Sequence, residues 1–202
     1  MPLQKIIISK QAKLYLWNIT ETTAELLSLF SGELPLAYER YRFIEHQQQF
    51  LAKKLLLEYL NINHQIQYLD TGKPVLSDKK YISISHSRNW VAVALSPQEI
   101  GIDMETANPK LKRIASKFVN PYEQAIFDIE NLTDLQYLWT AKESIYKLAG
   151  QTGLRFKEDI IIKDFDRQKQ TAQAMLLEKK PIKIFYNNVD KAFVVARSFY
   201  DI

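Results

Sequence analysis

Gly101-Ile-Asp-Met-Glu105 sets two acids, one residue apart, into an apolar run. Read as a strand, its side chains alternate faces, so Asp103 and Glu105 share one face while Ile102 and Met104 share the other. Two anions on one face repel unless something cationic sits between them. A solvated sheet edge carries the same D-x-E pattern, so the stretch gains chemical meaning only from its partners.

Just before it lies YISISHSRNWVAVALS (81–96), which predicts a hairpin with strands near 81–85 and 90–95; Ile100–Glu105 is a further short strand. Residues 3–19 read as strands around a turn, and from about Pro35 to Leu60 apolar residues recur at helical spacing, notably Phe43, Phe50, Leu51, Leu55 and Leu56. Asn120-Pro-Tyr-Glu123 opens a helix with Asn as N-cap and Glu as capping-box partner. Thr133-Asp-Leu-Gln136 reads as a second capping box, opening a helix that runs to Ala149 and stops at Gly150. Ile82-x-Ile84 followed by VAVALS (91–96) is echoed by Ile182-x-Ile184 followed by FVVARS (193–198). The echo divides the chain near residue 98, at Pro97-Gln98-Glu99. The expected fold is α/β (α+β): two pseudo-symmetric halves, 1–98 and 99–202, each a small antiparallel sheet packed with a long helix.

Composition narrows the chemistry. The 202 residues contain no cysteine, which excludes disulfides, thiolate nucleophiles and Cys-ligated zinc. A three-histidine metal site would need all of His46, His64 and His86 from unrelated segments, so an oxygen-ligated hard cation fits better. No signal peptide is legible and no window approaches the ~20 apolar residues of a membrane span, so the expectation is cytoplasmic. The net charge of +4 suits an acidic or phosphate-rich partner, but the basic residues are dispersed, which argues against nucleic acid.

Three other stretches carry candidate groups. In LWTAKESIYKLAG (138–150), Glu143 and Lys147 share a helix face, with Trp139 one turn earlier. Lys142, Glu143 and Lys147 interrupt a helix that is otherwise apolar almost all round, a better setting for a site than for a solvated face. Ile84-Ser-His-Ser87 places His86 between two hydroxyls, an anion pocket in type; with no nearby acid and no G-x-S-x-G elbow, His86 reads as a phosphate donor. Tyr68-Leu-Asp-Thr-Gly-Lys-Pro74 is a turn by chemistry, and neither a Walker A loop nor G-x-G-x-x-G is present.

The order GKP (72–74), SISHS (83–87), GIDME (101–105), WTAKESIYK (139–147) resembles the 4′-phosphopantetheinyl transferases of the Sfp type. The resemblance covers roughly residues 35–200 and is specific over about 72–150. It implies that Asp103, Glu105 and Glu143 hold Mg²⁺ at the seam between the halves, bridging to the pyrophosphate of coenzyme A. It further implies transfer of the 4′-phosphopantetheine arm to a serine of an apo acyl or peptidyl carrier protein, with release of 3′,5′-ADP. In that reading Lys147 and Lys142 bind the phosphates and Glu143, directly or through a metal-bound water, takes the serine proton. His86 with Ser85 contacts a coenzyme A phosphate, and Lys73 with Pro74 lines the adenine end.

Met104 departs from the family's branched aliphatic, a tolerable change on a buried face. The basic residues expected from the early helix are not in register; Arg40, Arg42, Lys53 and Lys54 are candidates, with Lys54 the first choice. Two other classes compete. A Mg²⁺-dependent phosphodiesterase or nuclease would favour D/E-x-K on the strand, where Ala107 stands. A non-catalytic coenzyme A or carrier-binding module would not need all three carboxylates. A monomer is the default expectation, since two halves in one chain can build a seam site.

Overall fold

The computed structural model describes residues 3–7, 12–30, 34, 36–78, 80–106, 108–189 and 191–198. The fold is α/β. β1 (Leu3–Ile7) and β2 (Lys13–Asn18) form the expected antiparallel pair, Leu3 opposite Trp17. A short helix α1 (Thr23–Ser28) follows, closed by a Thr22/Glu25 capping box. The long helical pattern is broken: a 3₁₀ turn at Leu36–Arg40 precedes α2 (Ile44–Tyr59). Phe43 is the N-cap of α2 and largely exposed, so it belongs to no apolar face, whereas Phe50, Leu51, Leu55 and Leu56 are buried as expected.

β3 (Ile66–Tyr68) and β4 (Pro74–Leu76) pair across the Gly-Lys-Pro turn, where Gly72 takes φ 80°, a left-handed conformation open to glycine. β5 (Tyr81–Ser87) and β6 (Trp90–Ser96) form the predicted hairpin, and β7 (Ile100–Met104) carries GIDM. α3 (Lys110–Phe118) leads to Asn120 and Glu123, which make their capping box, but around a single 3₁₀ turn (Pro121–Ala125) instead of an α-helix. α4 (Leu132–Ala149) begins two residues earlier than the expected Thr133 cap implied. Its N-cap is Asn131, whose side chain accepts from the Thr133 and Asp134 amides, and Gly150 ends it in the αL conformation. β8 (Ile160–Asp166), β9 (Thr171–Leu176), β10 (Lys180–Val189) and β11 (Lys191–Ser198) complete the chain; β10 and β11 are the second predicted hairpin.

Beside the two-stranded β3-β4 pair, the described strands form two larger antiparallel sheets, a four-stranded one in the order β1-β2-β6-β5 and a five-stranded one in the order β7-β11-β10-β9-β8. Strand alternation then assigns every face. On the first sheet, Trp17, Val91 and Val93 pack against Leu51 and Leu56 of α2, while Leu14, Leu16, Ala92 and Ala94 face Ile100, Ile102 and Met104 of β7. On the second, Ile160, Ile162, Ala174, Ile182 and Ile184 pack against Leu138, Ala141 and Ile145 of α4. Each fully buried valine, leucine or isoleucine among these is worth about 1.5–3 kcal/mol. Ile102 and Met104 are thus consumed between the sheets, leaving Asp103 toward α4. Among the described residues no helix is long and apolar enough to cross a membrane.

β7 lies directly on the backbone of α4. A Cβ at Gly101 would collide with the Ser144 carbonyl oxygen and would lie 2.6 Å from the Leu148 nitrogen. Gly101→Ala is expected to lower stability by about 3 kcal/mol, the upper range for overpacking against atoms that cannot move aside. Urea denaturation of the variant beside the parent protein measures it.

Candidate active site

Glu143 and Lys147 lie one turn apart on the face of α4 turned to β7, as their spacing requires. Lys147 Nζ sits 2.5 Å from Asp103 Oδ1 and 3.1 Å from Ser85 Oγ. Ser85 in turn donates to Asp103 Oδ1 (2.9 Å) and accepts from the Met104 amide (3.2 Å). Glu105 is held at both ends: Asn108 Nδ2 donates to its Oε1 (2.9 Å) and Gln136 Nε2 to its carbonyl (2.6 Å). Asp103, Glu105, Glu143, His86 and Trp139 all line one cavity of about 510 Å³.

The electrostatics of this cavity are strained. Burial first, then the Asp103 charge, push the Glu143 carboxyl up to about 7, with Lys147 opposing. Burial also raises Glu105, offset in part by the Asn108 hydrogen bond, while Asp103 pushes it further up. Among the described residues no three acidic or histidine side chains are drawn together tightly enough to enclose an ion as placed; Asp103 is ion-paired to Lys147 instead. The donor set nevertheless suits a hard cation in kind, being all carboxylate oxygen on one cavity wall and mutually repulsive.

Three assigned residues, Lys142, Ser85 and Lys54, do not take the places assigned to them. Lys142 is one position from Glu143, hence about 100° around the helix, and points into the core. It is fully buried, its ammonium donating to the carbonyls of Phe118 (2.7 Å), Phe156 (2.7 Å) and Ile160 (2.8 Å) and pairing with Glu123 Oε2 at 2.8 Å. It has no donor left for a phosphate, and that assignment is corrected. Ser85 is likewise withdrawn as a phosphate contact: it is 2% exposed and its hydroxyl is fully engaged. Period two explains the split from His86, since Ser85 faces β7 while His86 faces α2.

In place of Lys54, Lys53 meets His86. It lines a cavity of about 170 Å³ with His46, Gln49, Phe50 and His86, because residues 46, 49, 50 and 53 form one helical face. The His86 ring opens to solvent at one side, yet its concave setting lowers its pKa by partial desolvation, assisted by the Lys147 and Lys53 charges. Lys73 and Pro74 do line a common cavity, of about 160 Å³, beside Lys147 and Gly150. The Lys73 ammonium donates to the Leu148 carbonyl (2.7 Å), a cation at the C-terminus of α4.

Sequence reasoning missed Gln136, Asn108, His46 and Glu123 as contributors. The Asn120/Glu123 capping box was legible; that the same carboxylate also accepts from the Ile162 amide (2.8 Å) and pairs with Lys142 was not, because those partners come from distant segments.

A carboxylate-walled cavity beside the Asp103–Lys147 ion pair, where two antiparallel sheets meet across a helix, defines an α/β protein with an ionic site of enzymatic type. A family model for the 4′-phosphopantetheinyl transferase superfamily matches residues 99–197. The 4′-phosphopantetheinyl transferase gsp of Aneurinibacillus migulanus is 31% identical over 175 residues, 79% of this chain and 72% of that protein. The 4′-phosphopantetheinyl transferase Sfp of Bacillus subtilis (strain 168) is 34% identical over 107 residues, 50% of this chain and 47% of that protein. A third relative, 4′-phosphopantetheinyl transferase psf-1 of Bacillus pumilus, is 27% identical over 150 residues, 66% of this chain and 64% of that protein. The aligned stretch therefore spans about half the length of Sfp and nearly three quarters of gsp. The chain belongs to the 4′-phosphopantetheinyl transferase superfamily and is an enzyme of that kind.

Two outcomes test the site's construction. Lys142→Ala strands Glu123 in the core and should cost on the order of 3–5 kcal/mol in denaturant melts; a role confined to phosphate binding would leave stability unchanged. Glu143 has a folded pKa above its unfolded one, so its contribution is present below about pH 4.5 and lost as pH rises through about 7. In EDTA, Glu143→Gln should therefore melt higher than the parent by a margin that is larger at about pH 8 than at about pH 5.

Proposed function

We propose that the protein transfers the 4′-phosphopantetheine arm of coenzyme A to a serine of an apo acyl or peptidyl carrier protein, with 3′,5′-ADP as the second product. The observation that carries this reading is the single cavity walled by Asp103, Glu105 and Glu143, with Lys147 ion-paired to Asp103. The names of the relatives support the same reaction. We also propose that the chain acts as a cytoplasmic monomer built of halves 1–98 and 99–202, with the site at their seam.

Asp103, Glu105 and Glu143 would hold a Mg²⁺ ion. When bound, such a cation neutralises charge on the pyrophosphate oxygens. The chain's own residues do the rest. Glu143, directly or through a water, is the base that takes the proton from the carrier serine as that oxygen attacks the phosphorus bearing the pantetheine arm. Lys147 supplies positive charge to the pyrophosphate as its P–O–P bridge breaks and the bridging oxygen leaves with 3′,5′-ADP. Lys53 and His46, beside His86, form a basic pocket for a coenzyme A phosphate. Lys73 is fixed on the end of α4, and with Pro74 it lines the adenine end.

The carrier's place is the basic flank of α3. Leu111 and Phe118 are buried, Ile114 is half-buried, and Lys110, Arg113 and Lys117 are exposed. Lys110, Arg113 and Ile114 also line the cavity that contains Glu143, so an acidic carrier helix resting there delivers its serine close to the base.

Incubation with labelled coenzyme A, Mg²⁺ and a panel of apo carriers tests the reading. Label should move to the carrier, and EDTA or Asp103→Ala should stop it; full activity in either case refutes the metal site. Lys147→Ala should lower kcat/KM for coenzyme A by on the order of 10²-fold. Reversal of Arg113 and Lys117 to Glu should raise KM for the carrier, most at low ionic strength, with KM for coenzyme A unchanged. A carrier KM that stays put would move the docking surface elsewhere.

A further inference from the structure

β7 is an edge strand. On one side it pairs with β11, Val195 opposite Ile102 and Phe193 opposite Met104. The other edge faces β5, which belongs to the other sheet. An unpaired strand edge buried in this way would leave alternate amides unsatisfied. Here three serine hydroxyls meet them: the amides of Ile102, Met104 and Thr106 donate to Ser83 Oγ (3.0 Å), Ser85 Oγ (3.2 Å) and Ser87 Oγ (3.2 Å). The match is one of period. Side chains on one face of β5 repeat every two residues, about 6.6–6.8 Å, and so do the outward amides of β7. S-I-S-H-S therefore presents its serines to β7 and its intervening positions to α2.

We infer that Ser83 and Ser87 are positioning residues that lock the register of β7 against the first sheet and thereby aim Asp103 and Glu105 into the active-site cavity. A slip of one residue would exchange Asp103 and Glu105 for Ile102 and Met104 on the face toward the site. The central rung couples the ladder to the chemistry directly, because Ser85 also donates to Asp103 Oδ1. The last rung lies beside Glu105: Ser87 is half-buried at the edge of the cavity of about 820 Å³ that Glu105 and Thr106 also line. The ladder works without the outer strands, since its only components are side-chain oxygens of one strand and main-chain nitrogens of the next.

The kinetic part of this inference rests on the transfer reaction proposed above; the structural part does not, and the experiment separates them. Amide hydrogen exchange is followed by NMR on the full chain without metal. Ser87→Ala should speed exchange of the Thr106 amide about tenfold, the order expected for loss of one hydrogen bond, with the Ile102 amide still protected. Ser83→Ala should do the reverse; if that buried variant does not fold, the half-buried Ser87 position still decides. In transfer assays Ser87→Ala should lower kcat about tenfold at unchanged KM for coenzyme A, and Ser87→Thr, which keeps the hydroxyl, should restore it. Unchanged Thr106 exchange in Ser87→Ala overturns the ladder. A raised KM for coenzyme A at constant kcat overturns the positioning role in favour of a direct ligand contact. If the parent protein transfers nothing, the proposed reaction fails and the exchange data alone judge the ladder.

Discussion

The contact between β7 and α4 at Gly101 governs the site. Only a residue without a side chain lets a strand rest on the Ser144 and Leu148 backbone of a helix. That closeness lets Asp103, two residues along the strand, reach Lys147 on the helix at 2.5 Å, and brings Glu143 onto the same cavity wall. A strand held farther off by a Cβ would separate the carboxylates from the lysine and from one another. The strand's other edge is fixed independently by the serine ladder, so the acidic pair is located by main-chain contacts on both sides.

Within this frame the same residue types have opposite fates. Lys142 and Lys147 sit on one helix, five residues apart. Lys147 is partly exposed and paired with Asp103, whereas Lys142 is enclosed with Glu123 and three carbonyls, linking the end of α3, the 3₁₀ turn, the segment before β8 and β8 itself. Burial lowers the Lys142 pKa, with Glu123 opposing that shift. Such a pair adds little net stability over an apolar core, yet breaking it is costly because the survivor is left charged and dry. It holds the C-terminal end of α3 near the base of α4, so the basic face of α3 and the cavity keep a fixed relation.

The cavity itself is a place where stability is given up. Three carboxylates face one volume, and Glu143 is held near neutrality's edge at about 7 by burial and by Asp103. A sequence optimised only for folding would replace one of them. Their retention, beside a lysine that is itself only partly buried, is what an ionic site for a phosphate-bearing substrate requires.

Much of this was legible without coordinates, because backbone geometry alone fixes it. Strand alternation placed Asp103 opposite Ile102 and Met104, the αL preference of glycine ended α4 at Gly150, and the Asn120/Glu123 pair had to cap whatever turn followed. The order of short motifs along the chain was enough to identify the family. Local rules give the direction in which a side chain leaves its element, however, and not what lies in that direction. Whether Lys142 met solvent, phosphate or Glu123, and whether Lys53 or Lys54 faced His86, depended on how α4 and α2 were rotated against their sheets, which is set by the whole apolar face of each helix. Ser85 could be read as an anion ligand until β7 was found against it. The sequence determined which groups the site contains; the packing of α4 on β7 and β5 decided which of them are free to act, since a donor already satisfied by buried carbonyls or amides has none left for a substrate.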